Sequence, residues 1–469
     1  MIPELHVVYG PPGTGKTTKL LSILQEELTK GVKASRIAYV SFTQEGAYQG
    51  RSRAKETFTN LGEKDFLYFR TLHSLAFRSL GLKRSQVMNA SHYKKFSELM
   101  GMHFIGYYTE EFNGIDDKYL FYDQLNKNNS ETADRYLGYL DMDKLAHVQK
   151  NYREYKKIYG VYDFTDMIQI FVERKQKVDV DVAFVDEAQD LTTLQWQMVW
   201  VAFSGAQRIY IAGDDDQAIY EWSGADVKQF LGLHTTSTQI LSKSHRLPND
   251  ILDFSKRITK HISIRADKPY RGNGTLGRII RVGTFSDVTF RPDETYMFLA
   301  RNKIFLEPIA EWLRGQGIIF DLMGKPSFSM QEYRLIVLYE QQRKKPGAIE
   351  NTNDLAALAK NTKQDATMDT PWYDAFDWDQ VKLDYYRDVI RTKPDSMDPM
   401  IRVSTIHSVK GAEADHVILL PDVTRKVMDN LERNPDSEHR AFYVACTRAK
   451  KSLYICDPSS KFAYPIMEL

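Results

Sequence analysis

The chain reads as an α/β protein with two parallel sheets, each interrupted by a helical segment. Three observations carry that reading. Short β-branched runs alternate with helical periodicity, a glycine-rich loop directly follows the first run, and an irregular polar stretch near 240–250 (STQILSKSHRLPND) parts an early set of strands from a later one. Strands that alternate with helices build parallel sheets covered on both faces, and such sheets place their sites at the carboxyl ends of strands.

The strand runs are LHVVY (5–9), RIAYVSF (36–42), VDVAFVDEA (180–188), QRIYIAGD (207–214), ETYMFLARN (294–302), IRVSTIH (401–407) and SLYICD (452–457). Helical spacing of apolar residues follows the first run in TTKLLSILQEELTKG and the fifth in FLEPIAEWLRGQG. The stretch 82–160 is aromatic and charged with few strand-like runs, which predicts a helical insertion in the first sheet; residues 330–398 predict a smaller one in the second. The expected organisation is therefore a first sheet domain over 1–81 and 161–240 around the insertion 82–160, and a second over 241–329 and 399–469 around the insertion 330–398.

Bulk properties bound the function without naming it. A chain of 469 residues is too long for one ordinary core and divides into about three domains. Net charge is +1, so composition neither argues for nucleic acid nor excludes it, since a neutral total can hide a local basic track. There are 2 cysteines, Cys446 and Cys456, which exclude a disulfide scaffold, and the 11 histidines do not join them at zinc spacing. No apolar run is long enough to span a bilayer, and the first strand begins so early that no signal peptide is expected. Cytoplasmic placement without membrane contact is the expectation.

The first chemical signal is GPPGTGKT, Gly10 to Thr17, between a strand and a helical pattern. In that setting Gly10, Gly13 and Gly15 let backbone N–H groups converge on phosphate oxygens, and the helix N-terminus adds its positive end. Lys16 reaches the outer phosphates, Thr17 offers a hydroxyl to magnesium, and Thr14 and Thr18 complete the candidate nucleotide site. The second signal is VAFVDEAQD (182–190), in which a strand delivers Asp186 for magnesium and Glu187 to accept a proton from an attacking water. Gln189 and Asp190 follow as polar relays.

A third stretch, GDDDQAIYEWSGAD (213–226), packs three acids before Gln217, Tyr220 and Trp222. Three adjacent carboxylates repel one another in a dry pocket, so at least one is expected to be solvated or paired. Asp214 is expected beside the metal or ordering Gln217. From the second domain, SKSHRLPND (242–250) and EHRAFYVACTRAKKSLYI (438–455) supply Arg246 and Arg448, whose guanidinium forks suit a γ-phosphate.

Taken together, the chain resembles a superfamily 1A DNA helicase of the UvrD/Rep/PcrA-like branch. The resemblance rests on the phosphate loop and DEAQD, and on YVSFTQEGA (39–47), YFRTLHSLA (68–76), YDFTDMI (162–168), IAGDDDQAIYEWSGA (211–225), HRLP (245–248), IRVSTIHSVKGAEADHVIL (401–419) and EHRAFYVACTRAK (438–450). It implies two RecA-like parallel-sheet motor domains with helical insertions, ATP and Mg2+ as cofactors, and 3′-to-5′ movement on single-stranded DNA. By resemblance Gln217 senses the γ-phosphate, Glu413 reaches the ribose with Lys410 and Gly411 shaping its motif, and Tyr443 accompanies Arg448. Phe42, Tyr220 and Trp222 offer faces to bases, while Thr71, His73, Ser74 and Thr405 lie near the strand's backbone. Such contacts suit an enzyme that must avoid reading sequence.

The resemblance also has gaps. Only six residues precede Val7, too few for the family's adenine-reading glutamine, and His245 stands where the family has a stacking tyrosine, so modest base selectivity is expected. The 80 residues between Phe320 and Ile401 are too few for the large regulatory subdomain of longer relatives, and no nuclease domain is expected after the last motif. The implied partners are single-stranded DNA, single-strand/duplex junctions and a replication or repair protein, with the chain working as a monomer. The alternatives are a translocase or protein-displacing ATPase with little unwinding of its own, an RNA-directed motor, and a nucleotide-controlled binding protein.

Overall fold

The computed structural model describes every residue except 1, 43, 107, 109–115, 129–132, 134–136, 139, 368, 393–397 and 469. Parts of both expected insertions, and Thr43 of the YVSFTQEGA stretch, thus lie outside the described residues.

The first sheet contains β1 (Glu4–Tyr9), β2 (Ile37–Ser41), β3 (Tyr68–Thr71), β4 (Val182–Asp186), β5 (Arg208–Gly213) and β6 (Ser237–Ile240). Their order is β3-β2-β4-β5-β1-β6, and every pairing is parallel. Alternate residues of each central strand enter separate cores. Tyr39, Val182, Phe184 and Ala212 pack under Leu20 and Leu24 of helix Lys16–Thr29 on one face. On the other, Ala38, Val40, Ala183, Val185 and Ile211 meet Leu72 and Leu75, Phe171, and Trp196 from three further helices. Burial on both faces is why β2 and β4 read as unbroken apolar runs. The edge strands β3 and β6 are less legible: β6 (STQI) is almost wholly exposed and carries no apolar alternation.

Register brings the strand ends into line. Ser41 pairs with Thr71 on one side and Asp186 on the other, while Tyr9 pairs with Gly213 and Ile240. Residues that follow these positions therefore emerge along one edge of the sheet, as parallel topology demands of a site. Between β3 and β4, helices Ala90–Met100, Asp117–Lys127 and Met142–Tyr159 share a core of their own that includes Phe96, Leu120, Val148 and Tyr152.

The second sheet contains β7 (Arg278–Val282), β8 (Tyr296–Ala300), β9 (Phe320–Leu322), β10 (Lys325–Pro326), β11 (Ile401–Thr405), β12 (Ala414–Leu419) and β13 (Ala449–Cys456). The order is β10-β9-β11-β8-β12-β13-β7, parallel throughout except for the short β10 on β9. Helices Met330–Lys344, Thr352–Asn361, Trp372–Ala375 and Gln380–Thr392 form the expected insertion, around Phe328, Ile336, Trp372, Phe376, Leu383 and Tyr386.

The chain divides into two compact units, one of residues 1–247, 259–274 and 436–440, the other of 248–258, 275–435 and 441–469. The sequence expectation opened the second domain at 241. The first unit runs further because Ser244 donates its hydroxyl to Pro12 O at 2.7 Å, tying 241–247 to the glycine-rich loop. Among the described residues no helix is long and apolar enough to cross a membrane. Both cysteines are free and buried; burial raises the Cys446 thiol far above its ordinary range and pushes Cys456 up to about 12.

Candidate functional site

After Tyr9 the chain turns through the glycine-rich loop into helix Lys16–Thr29. Two positions admit no side chain. A Cβ on Gly10 would fall 1.9 Å from Lys16 Cγ, and one on Gly13, whose φ is +72°, would fall 2.4 Å from Arg246 Cβ. Lys16 Nζ donates to Gly10 O at 2.9 Å and lies 3.7 Å from Glu187 Oε1. Thr14 is buried with its hydroxyl on Pro11 O, and Thr18 is exposed in the first turn of the helix.

The second expected signal converges on the same place. Thr17 Oγ1 donates to Asp186 Oδ2 at 3.1 Å, and Tyr39 OH donates to the same oxygen at 2.6 Å. Burial, and then the charge of Glu187, hold the Asp186 carboxyl above the ordinary carboxylate range; the Tyr39 bond and Lys16 oppose them. A threonine hydroxyl and a carboxylate are hard oxygens of the kind magnesium takes beside phosphate oxygens and water. Among the described residues no cluster of three or more His, Cys, Asp or Glu forms a full metal cage. The donor set therefore fits a magnesium ion held jointly with a nucleotide.

Glu187 has φ +54°, a left-handed conformation that few non-glycine residues adopt and that is often found at functional sites. Its Oε2 accepts from Gln189 Nε2 at 2.7 Å, Gln189 Oε1 accepts from Asp214 N at 3.0 Å, and Asp214 Oδ2 accepts from Gln217 Nε2 at 2.7 Å. Gln217 and Glu187 are thus joined through two intermediates, all along the carboxyl edge of β4 and β5. Gly213 permits this, since a Cβ there would lie 2.6 Å from Gln189 Oε1. Asp214 orders Gln217, as one of the two expectations for it had it.

The three acids are all fully buried, and all are paired. Lys268 Nζ sits among them, 3.3 Å from Asp214 Oδ1, 3.0 Å from Asp216 Oδ2 and in closest contact with Asp215. Arg265 binds Asp216 through both forks at 2.9 and 2.8 Å, and Ala266 N donates to Asp215 at 2.8 Å. The crowded carboxylates hold Lys268 above the usual ammonium range against the opposing effect of burial. Sequence reading foresaw a partner but not which; the signal was the charge density itself, with Arg265 and Lys268 about fifty positions downstream.

Arg246 was expected from the second domain, yet it belongs to the compact unit that holds Lys16. Its neighbour His245, an exposed residue, donates its backbone N–H to Gly13 O at 2.8 Å, which sets Arg246 against the loop. The aromatic candidates form a chain. Phe42 and Tyr220 have ring centroids 5.4 Å apart, and Tyr220 and Trp222 6.5 Å. Trp222 lies at 6.0 Å and 28° to Phe121 of the helical insertion, a stacked pair that motif spacing does not reveal. Thr71 caps helix Leu72–Ser79 by accepting from Ser74 N, and His73 meets Phe164 edge-on at 5.5 Å.

The remaining candidates lie in the second unit. Arg448 is buried, its guanidinium bonded to Val444 O at 2.9 Å, Ala412 O at 3.3 Å and Thr447 Oγ1 at 3.2 Å. Tyr443 is buried in helix Pro435–Cys446, which ends two residues before Arg448. Glu413 is exposed, 3.8 Å from Lys450 Nζ, and follows Gly411 at φ +89°. Thr405 ends β11 with its hydroxyl 2.8 Å from that of Ser408.

Known proteins share this arrangement of motifs. Residues 3–237 match the model of the UvrD/REP helicase N-terminal domain, and residues 300–459 that of the UvrD-like helicase C-terminal domain. The ATP-dependent DNA helicase Rep of Escherichia coli K12 is 27% identical over 243 residues, 47% of this chain and 35% of that protein. A probable DNA helicase II homolog of Mycoplasma capricolum is 23% identical over 322 residues, covering 57% and 40%. DNA helicase II of Haemophilus influenzae is 24% identical over 355 residues, covering 67% and 45%. The chain thus spans less than half the length of these relatives. The glycine-rich loop, the acidic strand end and the Gln217 stretch all fall inside the first matched model, Thr405, Glu413 and Arg448 inside the second, and on these two matches the chain belongs to the UvrD/Rep helicase family.

Proposed function

We propose that the chain is an ATP-driven motor that moves along single-stranded DNA and separates duplexes, with the 3′-to-5′ polarity implied by the resemblance. The observation that carries this reading is the hydrogen-bonded path Glu187–Gln189–Asp214–Gln217, which runs from the phosphate loop to the start of the Tyr220 and Trp222 stretch. One short segment thereby touches the hydrolytic carboxylate at one end and the aromatic chain at the other.

In this reading Lys16 leaves Gly10 O to meet the outer phosphates, and the loop amides between Gly10 and Thr18 cradle the rest. When bound, magnesium supplies charge compensation at the phosphates, and Thr17 and Asp186 are the residues to hold it. Glu187 accepts the proton of the attacking water, with Gln189 holding its Oε2. Gln217 registers the γ-phosphate and passes its position through Asp214. Arg246 contributes a guanidinium from beside the loop; the roles of Arg448 and Glu413 toward the same nucleotide follow the resemblance. Phe42, Tyr220 and Trp222 stack on bases at roughly 1–3 kcal/mol each, and Thr71, His73, Ser74 and Thr405 contact the backbone without reading sequence.

The test is strand displacement on matched duplexes bearing a 3′ or a 5′ single-stranded tail. The expected outcome is displacement of the 3′-tailed substrate only, requiring ATP and magnesium and lost in Lys16→Ala. DNA-stimulated hydrolysis with no displacement on either tail would instead favour a translocase that does not unwind alone. Absence of any nucleotide hydrolysis by the wild-type chain would end the motor reading.

A further inference from the structure

β3 ends in Arg70 and Thr71, at the same sheet edge as Ser41 and Asp186. Arg70 is half-buried, its Nε is shut away from water, and it has no hydrogen-bond partner. Among the described residues its one bond is from Nη1 to Ser74 Oγ, a long 3.4 Å. A guanidinium carries five donors, and a buried one is normally paired with a carboxylate. Two neighbours of Arg70, Arg78 and Arg51, carry its own sign, with Tyr68 acting more weakly the other way. Burial first, then Arg78 and Arg51, hold its pKa below the ordinary guanidinium range. Arg78 is exposed in the last turn of helix Leu72–Ser79, and Arg51 lies in helix Gln44–Thr57. A half-buried cation beside two others, with a single weak acceptor among the described residues, is suited to hold an anion.

We infer that Arg70, with Arg78 and Arg51 around it and the Ser74 hydroxyl beside it, seats one phosphodiester group of the single strand at the end of β3. This rests on the motor reading and adds to it a backbone contact that neither the motifs nor the resemblance assigned. The chemistry suits a strand that slides: a planar fork grips two phosphate oxygens whatever base is attached. Unlike Thr71 and Ser74, which engage a phosphate as neutral hydroxyls, Arg70 makes the grip electrostatic. The free energy of that contact is then drawn from counterions released by the strand.

The experiment is the salt dependence of binding of a fluorescein-labelled oligodeoxythymidylate to the full chain, read by anisotropy. Arg70→Gln is expected to make the slope of log K against log salt shallower by about 0.7, the value of one single-strand phosphate contact. Arg70→Lys, which keeps the charge, is expected to retain the wild-type slope with weaker binding. Arg78→Gln, a change at an exposed position, is expected to shallow the slope too and guards against misfolding at Arg70. Wild-type slopes in both glutamine variants would overturn the inference while leaving the motor reading intact. So would loss, in Arg70→Gln, of stabilisation by inorganic phosphate with the oligonucleotide slope unchanged, since the site would then take a free anion. A wild-type chain that does not bind the oligonucleotide at all would remove the motor reading and this contact with it.

Discussion

Glu187 shows how one side chain is held in a fixed direction by its backbone and its neighbour. The left-handed backbone at this position aims its carboxylate back toward Lys16, and Gln189 fixes one oxygen. Motif reading singled out Lys16, Asp186, Glu187 and Gln217 because the chemistry expected of them is tied to short spacings. It did not find Tyr39, Arg265 or Lys268, whose partners are 147, 49 and 53 positions away. A spacing rule sees neighbours in the chain, and those contacts exist only once the sheet has formed. His73 supports a prediction at this scale. Burial pushes its ring pKa down to about 4, with Asp163 pulling weakly the other way. The unfolded chain takes up a proton near pH 6.5 that the folded chain resists, so stability tied to the neutral ring is present above 6.5 and lost as pH falls toward about 4. Denaturation midpoints measured at pH 7 and pH 5 should fall further for the wild type than for His73→Gln; equal falls would show that the ring is not buried in its neutral form.

The elements differ in how openly the sequence declares them. β2 and β4 are buried on both faces, so unbroken apolar runs were unavoidable there, whereas β3 and β6 lie on the sheet margins and their composition is free to be polar. The glycine-rich loop was legible for a different reason, since its residues answer to backbone geometry rather than to burial. Gly13 illustrates this. Its positive φ alone costs an alanine about 1–2 kcal/mol, and the added Cβ would press on Arg246 at 2.4 Å. Gly13→Ala is expected to lower the unfolding midpoint and to weaken nucleotide binding more than that loss accounts for, because Arg246 must move. Gly205→Ala, where a Cβ meets nothing within 4 Å, is the control and should alter neither. Titration with a fluorescent nucleotide beside chemical denaturation separates the two effects.

For the molecule as a whole, the order of residues along the chain is not the order of packing. The expected boundary at 241 followed the loss of strand pattern after β6. The first compact unit nevertheless keeps residues to 247 and regains 259–274, because Ser244, Arg265, Ala266 and Lys268 bond to elements far upstream, and regains 436–440 through Asp436 on Ser263 and Ile264 and Arg440 on Glu221. The helical insertions, by contrast, were legible in outline, since each has enough aromatic residues for a core of its own. That independence is testable. Phe376 is fully buried within the second insertion, and Phe376→Ala should cost about 3–5 kcal/mol there. Limited proteolysis is expected to cut the variant first within 330–392, with the two sheets protected for longer; uniform digestion would mean that insertion and sheet unfold as one.

The two thiols have a practical consequence. Cys446 and Cys456 are both interior and both resist ionisation, and thiolate is the form that reacts with maleimides and oxidants. A single cysteine placed on any exposed helix would accordingly take a fluorophore while the native pair stays unmodified. Dyes could then be positioned at will on either unit, and its movements followed molecule by molecule, without first stripping sulfur from the interior.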